Sequence, residues 1–260
     1  MTAGWHAGAV PHPVRQRILI TGASAGLGEG MARRFAGLGR DLALAARRTD
    51  RLETLREELL AAHPGIRVET AALDVDDPDA VATVVPELAG RLGGVDRVVV
   101  NAGIGKGASI GTGNARANRA VLVTNVLGAH ATCEAAMELF RAQGTGHLVL
   151  ISSVASIRGM RTTRTAYGAS KAALNALGEG IRSDVLGSGV VVSTILPGYI
   201  ATDINVGRRG PFTVDLETGV RALVEAIERE PVKAFVPPFP WRVLGAVMRV
   251  APLPVVRRFT

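Results

Sequence analysis

Cysteine is almost missing from this sequence: Cys133 stands alone, so no disulfide can form within the chain and no thiolate cluster can hold zinc. A reducing, cytoplasmic setting is the expectation, with no metal site. Lysine is nearly as scarce, at Lys106, Lys171 and Lys233 among 30 basic residues. The arginines that make up the rest are spread along the chain without a dense run, and aromatics are 4% of the residues. Although the formal net charge is +7, the basic stripe and stacking rings that nucleic-acid binding uses are missing, and no nucleic-acid partner is expected. Residues 1–15 include Trp5, His6, Pro11, His12 and Pro13 but no continuous apolar core of the kind a secretory signal needs. Residues 1–14 read as a loose N-terminal arm.

What is present suits one ordered α/β domain spanning residues 1–260: 47% hydrophobic residues and 31 glycines, enough for a sizeable core with many tight turns. Short apolar runs recur at 17–21, 42–45, 68–73, 98–100, 148–151 and 190–196, and helical patterns fall between or after them at 51–62, 79–91, 115–141, 166–186 and 216–228. Such alternation predicts a parallel sheet with crossover helices. Val98-Val99-Val100 is apolar without alternation, which predicts strands covered on both faces, as in a doubly wound sheet of about seven strands. An eight-stranded barrel is disfavoured because too few runs are visible. The composition shifts in the tail, residues 237–260, which is rich in proline and apolar residues. There Trp241, Leu244, Val247 and Met248 fall at helical spacing with Arg242, Arg249, Arg257 and Arg258 interspersed. The tail is too short and interrupted to span a bilayer. Packing against protein is the favoured reading of its stripe, with membrane-surface contact as the alternative.

The first run leads into Thr21-Gly22-Ala23-Ser24-Ala25-Gly26-Leu27-Gly28 and then a helical pattern. Glycines at a strand-to-helix junction let backbone approach a pyrophosphate while the helix N-terminus offers free N–H groups, so a dinucleotide is expected there. The second run ends at Arg47-Arg48, where an NAD site would offer a carboxylate to the ribose 2′-hydroxyl. Two guanidiniums suit a 2′-phosphate instead, which predicts NADP(H) over NAD(H). Farther on, Tyr167 and Lys171 are four residues apart at the opening of a helix and share one face. A nearby ammonium favours the phenolate, so the expectation is a phenol whose pKa is drawn down toward neutrality for proton transfer. Just upstream, Ser152 and Ser153 end a strand, at the sheet edge where such folds bind ligands.

These motifs, over roughly residues 15–205, resemble the short-chain dehydrogenase/reductase family. Thr21–Gly28 is similar to its TGxxxGxG turn, Asp74-Val75 to its adenine-contacting DV, Asn101-Ala102-Gly103 to its NAG, and Tyr167 with Lys171 to its YxxxK. Pro197-Gly198 and Thr202, with Ile200 between them, resemble the segment that contacts the nicotinamide half. The resemblance implies a Rossmann-type fold and hydride transfer between a nicotinamide and a ketone, aldehyde or secondary alcohol. Gly22, Ser24, Gly26, Leu27 and Gly28 would hold the cofactor together with the other motif residues. Tyr167 would be the acid/base, Ser153 would hold the substrate oxygen, Lys171 would hold the nicotinamide ribose, and Asn125 would support Lys171 through an ordered water. It also implies a homodimer or homotetramer built on 115–141 and the helix of Tyr167. Two departures stand out. The family places its serine thirteen residues before the tyrosine, whereas Ser153 is fourteen before, Ser152 fifteen and Ser156 eleven. Ser153 is favoured, with the extra residue absorbed in loop 158–165, and Ser152 stays open. Ala25 stands where many NADP-dependent relatives carry a basic residue. Ile204, Val206, Phe212 and Val214 in the variable segment suggest an apolar substrate. A dinucleotide sensor without turnover would need the glycine turn and Arg47 but no activated phenol.

Overall fold

The computed structural model describes residues 14–202 and 212–257. Nearly all of the N-terminal arm, the variable-segment residues Ile204 and Val206, and Arg258 lie outside the described residues. From Arg17 onward strand and helix alternate: β1 (Arg17–Thr21), α1 (Gly26–Gly37), β2 (Asp41–Ala46), α2 (Thr49–Ala62), β3 (Val68–Ala72), α3 (Pro78–Arg91) and β4 (Arg97–Val100). The second half runs through α4 (Ala115–Leu122), α5 (Ala129–Gln143), β5 (Thr145–Ile151), α6 (Thr165–Asp184), β6 (Gly189–Pro197), α7 (Leu216–Glu228), β7 (Lys233–Val236), α8 (Pro238–Val250) and α9 (Leu253–Val256).

The strands form a seven-stranded sheet in the order β3-β2-β1-β4-β5-β6-β7, with every pairing parallel. Strand order reverses between β1 and β4, which opens a crevice at the carboxyl edge of the sheet where doubly wound folds bind ligands. Both faces are covered. Ile18 and Ile20 of β1 pack with Phe35 of α1, Leu52 of α2 and Leu223 of α7, whereas Leu19 between them packs with Val85 of α3, Phe140 of α5 and Leu174 of α6. Successive strand residues point to opposite faces, so the unbroken apolar runs follow from burial on both sides.

Three elements differ from the sequence expectation. The single helix expected at 115–141 is two, joined by a π-helical segment, Val123–Gly128. By length and composition 115–143 could cross a bilayer, but Cys133, Ala136 and Phe140 are packed in the core. The seventh strand, Lys-Ala-Phe-Val, is too short to stand out as an apolar run. The tail stripe also divides: Trp241 is buried, while Val247 is exposed on another side of α8.

Candidate active site

The glycine turn fixes the backbone around which the site is built. Gly22 and Gly26 have φ of +68° and +56°, in the left-handed region that side chains resist. A Cβ on Gly28 would lie 2.2 Å from the Gly22 carbonyl oxygen, so helix α1 can approach the end of β1 this closely only without one. Ala25, the N-cap of α1, makes no side-chain capping bond, which leaves first-turn N–H groups directed at the crevice. Asn101 braces the turn from β4: its Nδ2 donates to the Thr21 carbonyl at 2.9 Å and the Gly22 carbonyl at 3.3 Å. Thr21 Oγ1 accepts from the backbone N–H of Asn101 and of Ala102. Leu27 packs against the core beneath, and Thr202 lies over Gly26.

At the far end of the crevice Arg48 Nε donates to Ser24 Oγ at 3.2 Å. The neighbouring Arg47 is 3.7 Å from the Asp74 carboxylate, so the turn, the end of β2 and the segment after β3 meet. Both guanidiniums are solvent-exposed. Val75 is buried and lies against Gly128 of the π-helical segment.

The polar cluster lies at the ends of β4 and β5. Ser153, favoured by sequence, and Ser152, its alternative, have different partners. Ser152 Oγ donates to the Lys171 carbonyl at 2.8 Å and is buried, so its hydroxyl serves to hold α6 against β5. Ser153 Oγ accepts from the Ala155 N–H at 3.1 Å and faces the Tyr167 phenol, whose ionisation it favours. Ser156 is engaged elsewhere, accepting from Asn175 Nδ2 at 2.8 Å. In the loop expected to absorb the extra residue, Thr162 has φ of +57°, a conformation unusual for a β-branched residue.

Lys171 Nζ donates to the Ile151 carbonyl at 2.8 Å and lies 6.0 Å from the centre of the Tyr167 ring. Asn125 is fully buried in the π-helical segment. Its Oδ1 accepts from the Ile104 N–H at 2.8 Å, and its Nδ2 donates to the Ile104 carbonyl at 2.9 Å and to Ser170 Oγ at 3.0 Å. Ser170 in turn donates to the Tyr167 carbonyl at 2.7 Å. Gly103 lies in front of both Asn125 and Lys171: a Cβ there would meet Asn125 Oδ1 at 3.1 Å and Lys171 Nζ at 3.6 Å.

The electrostatics correct one expectation. Burial pushes the Tyr167 phenol above its ordinary pKa, with the Ser153 hydrogen bond and the Arg164 charge opposing this. Burial also lowers Lys171 to about 8. Burial therefore favours the protonated phenol, because desolvation of a phenolate outweighs the attraction of Arg164.

Ser170, Arg164 and Tyr199 belong to the site although the sequence did not single them out. Ser170 lies inside the Tyr167–Lys171 stretch, but its hydroxyl could be placed only once Asn125 was seen beside it. Arg164 lies over the Tyr199 ring at 5.4 Å and donates to its hydroxyl at 3.3 Å. Tyr199 meets Trp241 edge to face, with ring centres 5.0 Å apart, and Phe212 meets Trp241 at 6.1 Å. Trp241 closes on Gly198 so tightly that a Cβ there would lie 1.9 Å from the indole nitrogen. Helix α8 thus reaches the segment after β6, a contact between distant residues that no local pattern announces.

Known proteins share this outline. A family model described as short chain dehydrogenase matches residues 16–210. An uncharacterized oxidoreductase of Mycobacterium tuberculosis is 50% identical over 246 residues, covering 94% of this chain and 97% of the relative. An uncharacterized oxidoreductase of Myxococcus xanthus is 38% identical over 231 residues, covering 86% and 87%. Among solved structures, an alcohol dehydrogenase from Thermococcus sibiricus complexed with 5-hydroxy-NADP is similar with a TM-score of 0.76 and 26% identity, over 85% of this chain and 95% of that one.

Proposed function

This chain belongs to the short-chain dehydrogenase family, and we propose that it is an NADP(H)-preferring reductase of apolar ketones or aldehydes in which Tyr167 is the proton donor. It is an oxidoreductase of the class acting on CH–OH and C=O groups. The observation that carries the residue assignment is the convergence of Ser153, Tyr167 and Lys171 with the glycine turn at one edge of the sheet.

The residues present fit a nicotinamide dinucleotide. The cradle between Gly22 and Gly28 has no room for a Cβ, α1 has no side-chain cap, and such a backbone suits a pyrophosphate. Gly22, Ser24, Gly26, Leu27 and Gly28 would hold that part, Asp74 and Val75 the adenine, and Asn101, Ala102 and Gly103 the wall between β1 and β4. Pro197, Gly198, Ile200 and Thr202 would face the nicotinamide half. When bound, the cofactor supplies the hydride. Preference for NADP(H) rests on Arg47 and Arg48, whose guanidiniums stand beside Asp74 and Ser24 and can pair with a phosphate.

The chain's own residues bind and protonate. Ser153 and Tyr167 hydrogen-bond the substrate oxygen, and the phenol, kept protonated by burial, passes its proton to that oxygen as negative charge develops. Lys171, anchored on the Ile151 carbonyl, would hold the cofactor ribose with its remaining donors. Asn125 is a positioning residue: both its amide protons are committed, one to Ile104 and one to Ser170, and it fixes the floor beneath Lys171. An apolar substrate is supported by Tyr199, Trp241 and Phe212 clustered beside Gly198. A homodimer or homotetramer is supported by Leu122 and Leu127, exposed at the junction of α4 and α5. A cytoplasmic setting is supported by Cys133 being the single cysteine, so that no disulfide forms within the chain.

Loss of NADPH absorbance with a panel of apolar ketones and aldehydes tests this reading. Tyr167→Phe should lower the rate by roughly 10²–10⁴-fold while still binding NADPH by fluorescence. Turnover unchanged in that variant would refute the assignment.

A further inference from the structure

Helix α8 carries two apolar faces where the fold needs one. Its inner face packs: Trp241 is 7% exposed and lies against Gly198 and Tyr199, and Gly245 meets Ile157 and Phe235. Among the described residues, its outer face is bare. Val243, Val247 and Val250 are 58%, 53% and 83% exposed, and at about 100° per residue they fall within roughly 60° of one another around the helix. Phe239, 78% exposed just before the helical turns begin, and Leu253, 67% exposed at the start of α9, extend the patch at either end. Single exposed apolar side chains are ordinary, but an aligned run along one helix marks a contact surface.

The charge around this run identifies what covers it. Arg242 and Arg249, seven positions apart on one flank, are exposed beside the valines. Arg161, Leu253, Pro254 and Arg257 line a cavity of about 670 Å³ at the α9 end. Residues 231–260 contain no Asp or Glu against Lys233, Arg242, Arg249, Arg257 and Arg258. A second copy of the chain meeting this face across a two-fold axis would bring the same patch against itself, setting arginines near arginines with no carboxylate in the segment to pair them. An anionic lipid surface has the opposite sign and an apolar layer directly behind it. We propose that the outer face of α8, with the start of α9, is a docking surface for anionic membrane, the valine row entering the boundary of the acyl chains and Arg242, Arg249 and Arg257 pairing with lipid phosphates. The chain then works at the surface of the bilayer, with the helix that bears Trp241 joining that surface to the substrate side of the crevice.

Sedimentation of the full chain with vesicles tests this, using phosphatidylcholine alone and phosphatidylcholine mixed with phosphatidylglycerol. The chain should pellet with the mixed vesicles and stay in solution with the neutral ones. Arg242→Gln and Arg249→Gln should each weaken binding by about fivefold, and raised salt should do the same. Val243→Asp with Val247→Asp should abolish it while the circular dichroism and the turnover of a water-soluble carbonyl compound stay unchanged, since both side chains point to solvent. Failure to pellet with either vesicle, or pelleting that the double aspartate variant leaves unaltered, overturns the proposal. So does a fall in molecular mass of that variant without any vesicle binding by the parent chain, which would assign the patch to a protein contact.

Discussion

Arg47 and Arg48 meet different neighbours although they are adjacent in sequence: the first faces Asp74 at 3.7 Å and the second Ser24 at 3.2 Å. A 2′-phosphate between them would replace weak, solvent-screened contacts by charge-assisted hydrogen bonds worth about 1.5–3 kcal/mol each. The variant with Arg47→Asp and Arg48→Ile removes both and should therefore lose on the order of 10²–10⁴-fold in kcat/KM for NADPH, with kcat little changed and NADH now preferred. Steady-state kinetics with both cofactors decides this, and unchanged selectivity would remove the arginines from cofactor choice. The pair Tyr167 and Lys171 is legible in sequence as a unit because helical spacing sets it. The sign of the pKa change is not legible, because it depends on how much water the folded chain withholds from the phenol.

At the level of elements, glycine means opposite things in α1 and α6. Gly28→Ala would press a methyl into the Gly22 carbonyl, 2.2 Å away, where both atoms belong to a turn braced by Asn101. Overpacking of this kind costs about 1–3 kcal/mol, and the same shift would close the dinucleotide cradle, so NADPH binding should fall with stability. Gly180 lies inside α6 with open space beyond it, and Gly180→Ala should raise stability by about 0.5–1 kcal/mol. Urea titration of the two variants checks both signs. The helical period at 115–141 was plain from sequence, yet the π-helical segment inside it was not. One extra residue in a turn rotates the rest of the helix about its axis, and here that places Asn125 between Ile104 and Ser170, which depends on packing against the loop after β4.

Across the molecule, the sheet carries its chemistry at one edge and a buried ionic network toward the other. Arg97, which opens β4, is 1% exposed; its Nε donates to His147 Nδ1 at 2.8 Å and its guanidinium pairs with Glu228. Arg40 also pairs with Glu228, and Arg15 holds Glu230 at 2.7 Å. Nearby, Arg17 pairs with Asp96 at 2.8 Å. Burial alone would raise the Glu228 and Asp96 carboxyls, but their arginine partners hold both below the ordinary carboxylate range. A carboxyl with a depressed folded pKa stabilises the fold above its unfolded pKa, and that contribution is lost as pH falls through the folded one. Stability should therefore decline from the ordinary carboxylate range downward. Glu228→Gln should flatten the decline and cost about 1–2 kcal/mol at neutral pH, since the buried Arg97 keeps Glu230 at 3.5 Å and His147 at 2.8 Å. Denaturation curves at descending pH measure both, and an unchanged slope would exclude Glu228 as a source of acid sensitivity.

The alternation of the first six strands with helices, the covered sheet, the glycine turn and the spacing of Tyr167 from Lys171 were determined by sequence alone, because each rests on periodicity or backbone sterics within a few residues. Tertiary structure shows why Ser153, favoured over Ser152 by sequence, faces the phenol: the Ser152 hydroxyl is taken up by the Lys171 carbonyl of α6. It likewise decided which face of α8 is buried and which is bare. Those outcomes depend on contacts between residues far apart in the chain, whose energies no local pattern encodes.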